Sequence, residues 1–264
     1  MSSAFVGSIP EYYDRHLGPV LFEPYAIDLS RRVPTSARRV LEVAAGTGRV
    51  TRHLAAALPA GGELVATDLN AAMIDHARGL VDDPRVTWRV VDAQALPFDA
   101  ATFDVAICQF GLMFVPDKLL ALRELRRVLR PGCVALFSTW DALERNAATS
   151  VAHALAVETF PADPPAFYLT PFSLHDALAV RDLAVAAGFC DVQFETVRAL
   201  ATAVSAADLA RGLVRGTPVH AQLAERGLDA EVYEQQITET LGAHFGRAPC
   251  NSPLSAHIFT AVAA

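Results

Sequence analysis

The sequence has few basic residues and no strongly basic segment. Its 264 residues include 22 Lys and Arg against 29 Asp and Glu, which gives a formal net charge of −7. The longest basic cluster, Arg31-Arg32 with Arg38-Arg39, is more typical of a solvated helix flank than of a phosphate-binding surface. Proteins that bind nucleic acid normally collect Lys and Arg on one face. We therefore expect no nucleic-acid partner.

Long apolar runs and paired cysteines are also missing, and no signal peptide is expected. No apolar run reaches the length of about 18 residues that suggests a membrane span. The first residues, MSSAFVGSIPEYYDRH, show no basic stretch followed by an apolar one. The four cysteines are widely spaced and form no CxxC pair, which suits buried thiols in a reducing compartment. These features predict a cytoplasmic protein without a membrane span.

What the sequence does contain is a regular alternation of apolar stretches and helical patterns between residues 39 and 140. Hydrophobic residues make up 52% of the chain, which is enough for one large core. Strands alternating with helices, each strand apolar throughout, predict a parallel sheet covered on both faces. The predicted strands are 39–45, 62–68, 86–92, 103–110 and 133–140, with helices at 50–58, after the N-cap Asn70, and at 117–132.

After Trp140 the alternation loosens. Ser205 is a candidate N-cap and Gly216 a candidate helix break in a mainly helical stretch that separates two further strands. The predicted elements are helices at 142–158 and 173–189, strands at 191–200 and 255–263, and helical residues at 205–246.

A glycine-containing turn follows the first predicted strand, in VLEVAAGTGRV (residues 40–50). Such a turn before a helix offers unpaired backbone N–H groups, and its glycines let a ligand approach the backbone closely. Both dinucleotides and S-adenosylmethionine bind at turns of this kind. The dinucleotide fingerprint GxGxxG or GxGxxA is not met, because Thr51 occupies the place of the small third residue. The turn alone leaves an ordinary strand-to-helix loop open.

Acidic residues stand at the ends of the first three predicted strands: Glu42, Asp68 and Asp92. Because the carboxyl ends of parallel strands share one edge of the sheet, we expect these side chains to face one site. Asp68 suits the two hydroxyls of a ribose, Asp92 with Ala93 suits the amine of an adenine, and Glu42 suits a cationic amino group. Each acid alone would be a solvated strand end or a helix cap. The three acids with the glycine turn favour a ligand site.

Four stretches of the chain resemble, in order, the motifs of the class I S-adenosylmethionine-dependent methyltransferases: VLEVAAGTG, VATDLNAAMI, VVDAQALPFDAATFDVAICQFGLMFVPD and LRELRRVLRPGC. The resemblance covers roughly residues 38–140 and is greatest to small-molecule members of the ubiquinone/menaquinone type. It implies a Rossmann-like, doubly wound α/β fold of seven mostly parallel strands, with an antiparallel last strand and a helical substrate-covering insertion. It also implies a single methyltransferase domain over 1–264, divided into an N-terminal helical lid (1–37), a cofactor-binding core (38–140) and substrate-side helices with the last two strands (141–264).

The resemblance also assigns residues to the cofactor. Its methionine end would be lined by Glu42, Ala44, Gly46 and Gly48, with a backbone contact from Gln109. Asp68 would bind the ribose, Leu69 and Met73 would pack on the adenine, Asp92 and Ala93 would meet its edge, and Tyr13 (or Tyr12) of the lid would lie near the cofactor.

The chain departs from the family at Ala44, where glycine is usual. An alanine with positive φ costs about 1–2 kcal/mol. We therefore predict ordinary β-region torsions at Ala44 and Ala45, which leaves the unusual backbone to Gly46 and Gly48.

The function that follows from the resemblance is methyl transfer from S-adenosylmethionine, which becomes S-adenosylhomocysteine, to a small apolar or aromatic molecule by in-line displacement. His153, His175 and His220 are candidates for a general base, and none is preferred, so no catalytic residue is assigned. No histidine pattern predicts a metal site. An NAD(P)-dependent oxidoreductase and a non-catalytic S-adenosylmethionine-binding protein are the alternatives, and a monomer or homodimer is expected.

One further motif, Asp163-Pro164-Pro165-Ala166-Phe167, resembles the acidic-Pro-Pro-aromatic motif of nucleic-acid amino-methyltransferases. That motif should follow the fourth strand, but here it follows the fifth. We therefore predict that it is a rigid loop.

Overall fold

One seven-stranded sheet organises the chain. A computed structural model describes residue 7 and residues 9–264. The strands are β1 (Arg39–Val43), β2 (Glu63–Asp68), β3 (Val86–Val90), β4 (Phe103–Gln109), β5 (Leu129–Trp140), β6 (Phe189–Ala203) and β7 (Cys250–Ala263), in the spatial order β3-β2-β1-β4-β5-β7-β6. β7 is antiparallel to both β5 and β6, and the other neighbouring pairs are parallel. The predicted Rossmann-like sheet with an antiparallel last strand is confirmed.

The helices pack on the sheet as its alternating side chains require. Val40 of β1 and Val105 of β4 belong to one apolar core, while their neighbours Leu41 and Ala106 belong to another, because successive strand residues point to opposite faces. The α-helices of the described residues are α1 (Ile9–Tyr12), α2 (Glu23–Arg31), α3 (Arg49–Ala57), α4 (Ala71–Arg78), α5 (Lys118–Val128), α6 (Ala147–Thr159), α7 (Ala177–Ala186), α8 (Ala206–Arg215), α9 (Val219–Glu225) and α10 (Ala230–Phe245). None of these helices has the length and apolar character needed to cross a bilayer.

Several predicted element ends are wrong by a few residues. The helix predicted at 117–132 ends at Val128, and Pro131-Gly132 lies inside β5, where the pairing with β4 shifts register. β3 stops at Val90, and as an edge strand it is partly exposed rather than covered on both faces. α7 begins only at Ala177, because the side chain of Asp176 caps it there. The predicted N-caps Asn70 and Ser205 are confirmed, since each side chain accepts a backbone N–H of its helix.

A helical segment precedes β1 and consists of α1, a π-helix at Tyr13–Phe22 and α2. It packs against α8 at two glycines. A Cβ at Gly212 would lie 2.6 Å from Leu17 Cδ2, and one at Gly216 would lie 3.0 Å from the backbone nitrogen of Tyr13. Residues 1–6 and 8 of the predicted lid are outside the described residues, and the division of the chain into lid, core and substrate side stays a prediction.

Candidate active site

The turn after β1 has an unusual backbone at three positions. Ala44, Gly46 and Gly48 have φ values of 56°, 55° and 81°. The prediction of ordinary torsions at Ala44 is therefore wrong, although the glycines behave as predicted and Ala45 keeps a negative φ. Gly111, just beyond β4, explains how alanine is accommodated: a Cβ at Gly111 would overlap the Ala44 Cβ and would lie 3.0 Å from Cys108 Sγ. The missing side chain at position 111 makes room for the Ala44 methyl group.

Asp68, at the end of β2, ties this turn to the neighbouring strand. Its Oδ2 accepts the Gly46 N–H and its Oδ1 accepts the Asn70 N–H, each at 2.8 Å. Burial raises the pKa of Asp68, and backbone hydrogen bonds from Asn70, Gly46 and Leu69 oppose that rise. A carboxylate has about four acceptor positions and three backbone N–H groups contact this one, so a position remains for a hydrogen bond from a ligand. The geometry therefore leaves room for a contact with the ribose that was predicted for this residue.

A cavity of about 610 Å³ opens in front of the turn. A Cβ at Gly46 would meet no atom within 4 Å, so the backbone there faces open space. The cavity brings together nine of the eleven predicted cofactor residues: Tyr13, Ala44, Gly46, Asp68, Leu69, Met73, Asp92, Ala93 and Gln109. Gly48 lines neither this cavity nor the smaller one beside it. A Cβ at Gly48 would lie 3.1 Å from Trp88 Cη2, so this glycine permits close packing against β3.

Glu42 lies in the smaller cavity, of about 30 Å³, beneath the turn. Its side chain is 1% exposed, and its Oε2 accepts a hydrogen bond of 2.6 Å from Thr51 Oγ1. Burial raises the pKa of Glu42 to about 8, against the effect of the Thr51 hydrogen bond. A cation placed beside this carboxyl group would favour its ionised form.

Gln109 lines both cavities, at the carboxyl end of β4. Its Nε2 donates to the carbonyl oxygen of Phe22, the last residue of the π-helix, at 3.3 Å. Its Oε1 is buried and has no hydrogen-bond partner among the described residues. The side chain of Gln109 therefore offers a buried acceptor at the position for which a backbone contact was predicted.

Arg49, the first residue of α3, binds the helical segment to the turn. Its guanidinium forms ion pairs with Asp14 at 2.8 Å and with Glu23 at 3.1 Å. A Cβ at Gly18 would overlap the guanidinium, so that glycine permits the close approach. Thr47 Oγ1 also donates to Asp14, at 3.1 Å. These contacts place Tyr13, whose pKa is raised by burial, against both cavities.

The far part of the large cavity is aromatic. The rings of Phe110 and Trp140, which follow β4 and end β5, stack with centroids 3.9 Å apart and planes 1° apart. Phe114 and Phe167 form a second parallel pair with centroids 6.1 Å apart. Lys, Arg and His are absent from the lining residues in the part of the chain that the structure describes. This aromatic compartment, formed by Phe22, Phe110, Phe114, Trp140, Phe167 and Phe172, was not found by sequence reasoning.

The three candidate histidines lie outside the cavity lining. His175 Nδ1 is bonded to the carbonyl oxygen of Phe172 at 2.9 Å, and His220 is exposed. His153 Nδ1 is buried, without a partner among residues 9–264. No group of three His, Cys, Asp or Glu residues that could hold a metal ion occurs within the described ranges. The geometry thus favours none of these histidines as a general base.

Comparison with known proteins agrees with this geometry. A family model described as a methyltransferase domain matches residues 40–132. The ubiquinone/menaquinone biosynthesis C-methyltransferase UbiE of Idiomarina loihiensis is 42% identical over 118 residues, which cover 42% of this chain and 45% of the relative. The chain therefore matches less than half the length of that relative.

Solved structures share the fold over nearly the whole chain. A proposed type II methyltransferase from Anaeromyxobacter dehalogenans has a TM-score of 0.63 at 22% identity, covering 92% of this chain and 97% of that one. Phosphoethanolamine N-methyltransferase 2 of Haemonchus contortus, solved with S-adenosyl-L-methionine, has a TM-score of 0.59 at 16% identity. The match covers 96% of this chain and 56% of that one.

The fold, the turn and the matches agree with one another. The matches over residues 40–132 confirm the resemblance to the class I S-adenosylmethionine-dependent methyltransferases that was noted in the sequence. S-adenosylmethionine is the cofactor of that class.

Proposed function

We propose that the protein transfers a methyl group from S-adenosylmethionine to a small, uncharged apolar or aromatic acceptor. The observation that carries this proposal is the single cavity that joins the Gly46–Asp68 rim to the aromatic compartment. A methyl donor held at the rim and an acceptor held among the aromatic rings would share one cavity. Such proximity is the main requirement of a displacement at an already activated methyl group.

The residues at the rim fit the cofactor. Gly46 exposes its backbone to the cavity, Asp68 keeps an acceptor position for a ribose hydroxyl, and the Oε1 of Gln109 is a buried acceptor without a described partner. Leu69 and Met73 provide apolar surface in the same cavity for a purine ring. We propose that Asp68 holds the ribose, that Gly46 and Gln109 hold the methionine end, and that Leu69 and Met73 pack on the adenine.

The chemistry then divides between cofactor and protein. Bound S-adenosylmethionine supplies the sulfonium-activated methyl group. The aromatic compartment orients the acceptor, and the helical segment from Ile9 to Arg31 covers the turn and excludes water. Because Lys and His are absent from the described lining, we propose an acceptor whose nucleophilic atom needs no lysine or histidine base. The partial similarity to a ubiquinone/menaquinone C-methyltransferase makes an electron-rich quinol-type ring the first acceptor class to test.

Two measurements test this function. Thermal unfolding with S-adenosylmethionine, S-adenosylhomocysteine or NAD should show stabilisation by the first two, while stabilisation by NAD alone would favour the oxidoreductase. Transfer of radiolabelled methyl should then be assayed over a panel of phenols, quinols and amines. Activity restricted to charged amines would contradict the acceptor class. Binding without transfer to any acceptor would support the non-catalytic alternative.

Cytoplasmic location, the absence of a nucleic-acid partner and a monomeric or homodimeric state stay predictions.

A further inference from the structure

We infer that Gln222 selects the molecule that receives the methyl group: its Nε2 donates a hydrogen bond to an oxygen atom carried by an aromatic ring bound in the compartment. The substrate class is therefore oxygen-bearing aromatic molecules, such as phenols, quinols and aryl ketones, rather than plain hydrocarbons. The inference rests on the proposed function, because it takes the aromatic compartment as the site of the methyl acceptor.

The first step is the state of the side-chain amides. Two of them, Asn146 and Gln222, lie on the cavity walls that follow Trp140 in the chain. Asn146 is occupied by the backbone, because its Nδ2 donates to three carbonyl oxygens and its Oδ1 accepts the Ser255 N–H. The Oε1 of Gln222 accepts the Phe167 N–H at 3.2 Å, and its Nε2 has no hydrogen-bond acceptor among the described residues.

The hydrogen bond to Phe167 also fixes which way the Gln222 amide faces. A backbone N–H can only donate, so the atom that meets it must be the amide oxygen. The NH₂ group of the planar amide then faces away from Phe167. What Gln222 offers a ligand is therefore an N–H donor.

Arg226, which follows α9, holds this donor against the loop that carries the Asp163-Pro164-Pro165-Ala166-Phe167 motif. Its Nη1 donates to the Gln222 carbonyl oxygen at 2.7 Å, its Nε donates to the Asp163 carbonyl oxygen at 2.7 Å, and its Nη2 pairs with the Asp163 carboxylate at 2.8 Å. Gln222 is thus held through both its backbone and its side chain. A group that is already held in place loses little conformational freedom when a ligand binds, which favours recognition.

The surroundings of Gln222 determine which atom it recognises. The ring of Phe167 stacks parallel to that of Phe114, so the wall beside the amide is aromatic. The charged residues of the described lining, Asp68 and Asp92, lie at the cofactor rim. A neutral donor in an uncharged, apolar wall suits a neutral oxygen on the ligand. An oxygen-free ring would cover the donor and leave it without a partner.

Two variants separate recognition from support of the loop. Gln222→Glu keeps an acceptor for the Phe167 N–H but loses the N–H donor. Gln222→Met removes both. Gln235→Glu is the matched control, because it makes the same change at an exposed position of α10. All three variants should bind S-adenosylhomocysteine with the affinity of the wild type, which shows that the cofactor part is intact.

The probes are acetophenone and α-methylstyrene, which have nearly the same shape and differ by an oxygen in place of a methylene group. Ligand-detected NMR titrations with saturating S-adenosylhomocysteine give their dissociation constants. We expect the ratio of the two affinities to shift toward α-methylstyrene by about fivefold in Gln222→Glu and in Gln222→Met, the typical contribution of one neutral hydrogen bond. Gln235→Glu should keep the wild-type ratio.

The outcomes distinguish this inference from the proposed function. The same ratio in the wild type and both Gln222 variants would overturn the inference and leave the proposed function standing. A shift in only one Gln222 variant would also overturn it, since the shift would come from the lost loop contact or from the new charge. If the wild type binds S-adenosylhomocysteine but neither probe, the aromatic class of methyl acceptor fails, and this inference fails with it.

Discussion

The pairing of Ala44 with Gly111 makes a quantitative prediction about stability. Gly111 has φ −101° and ψ −34°, which alanine adopts without strain. The cost of Gly111→Ala is therefore steric: the new methyl group would overlap the Ala44 Cβ and crowd Cys108 Sγ. Overpacking of this kind typically costs about 1–3 kcal/mol.

Replacing Ala44 by glycine should relieve the steric cost of Gly111→Ala, because it removes the methyl group that overlaps. Ala44→Gly removes the positive-φ penalty of about 1–2 kcal/mol. It also lowers the free energy of unfolding by about 0.5–1 kcal/mol, because glycine increases the entropy of the unfolded chain. The single variant should therefore be neutral or slightly more stable than the wild type. In the double variant the overlapping methyl is gone and only the contact with Cys108 Sγ, at 3.0 Å, remains tight. We expect a favourable coupling of about 1–2 kcal/mol between the two substitutions.

Urea unfolding of the wild type, both single variants and the double variant measures this coupling. Each kcal/mol should appear in thermal unfolding as a shift of roughly 2–4 °C for a chain of this size. Gly79→Ala is the matched control, since its φ of −72° is ordinary and its nearest neighbour, the His76 carbonyl oxygen, would lie 3.4 Å from the new Cβ. Effects of Gly111→Ala and Ala44→Gly that add to within about 0.5 kcal/mol would refute the steric argument.

Three further predictions concern single side chains. Asp68→Asn should weaken S-adenosylhomocysteine binding about tenfold or more, as expected from the loss of charge-assisted hydrogen bonds worth roughly 1.5–3 kcal/mol; unchanged affinity by calorimetry would remove Asp68 from the site. The pKa of Glu42 is raised from 4.5 to about 8, so the folded state keeps a proton that the unfolded state loses, and the free energy of unfolding should fall as pH rises from about 5 to 8. Glu42→Gln should reduce that slope in urea titrations between pH 5 and 9, and an identical slope would contradict the assignment. Cys190 is exposed, whereas burial raises the pKa of Cys108 to about 12, so iodoacetamide at pH 8 should alkylate Cys190 first and Cys108 last, as read by mass spectrometry.

The parts of the fold that local pattern determines could be predicted from the sequence. The five strands up to Trp140 were located because apolar runs, caps and glycine stops are properties of neighbouring residues. Nine of the eleven predicted cofactor residues line the large cavity, and seven of them lie at or just after strand ends, which share an edge in a parallel sheet. Glu42 lines only the small cavity, and Gly48 packs against Trp88 instead.

The remaining features depend on contacts between distant segments. The aromatic compartment joins Phe22 of the lid to Phe110, Trp140 and Phe172, and no periodicity relates residues so far apart in the chain. The torsion of Ala44 was predicted wrongly for the same reason. The cost of positive φ was known from the residue type, but the space that Gly111 leaves for the methyl group exists only in the folded chain.

The residues at the carboxyl end of β4 connect the aromatic compartment with the turn at Ala44. In a regular strand Gln109 and Phe110 would point to opposite faces of the sheet, yet both line the large cavity. Phe110 has φ 51°, a conformation that costs an L-residue about 1–2 kcal/mol, and its N–H is held by the Ser138 carbonyl oxygen and hydroxyl. This kink lets three consecutive residues serve one site: Gln109 contacts the lid, Phe110 stacks on Trp140, and Gly111 admits Ala44. Strain retained at such a point is consistent with a functional constraint, since a regular strand would take one of these side chains out of the cavity.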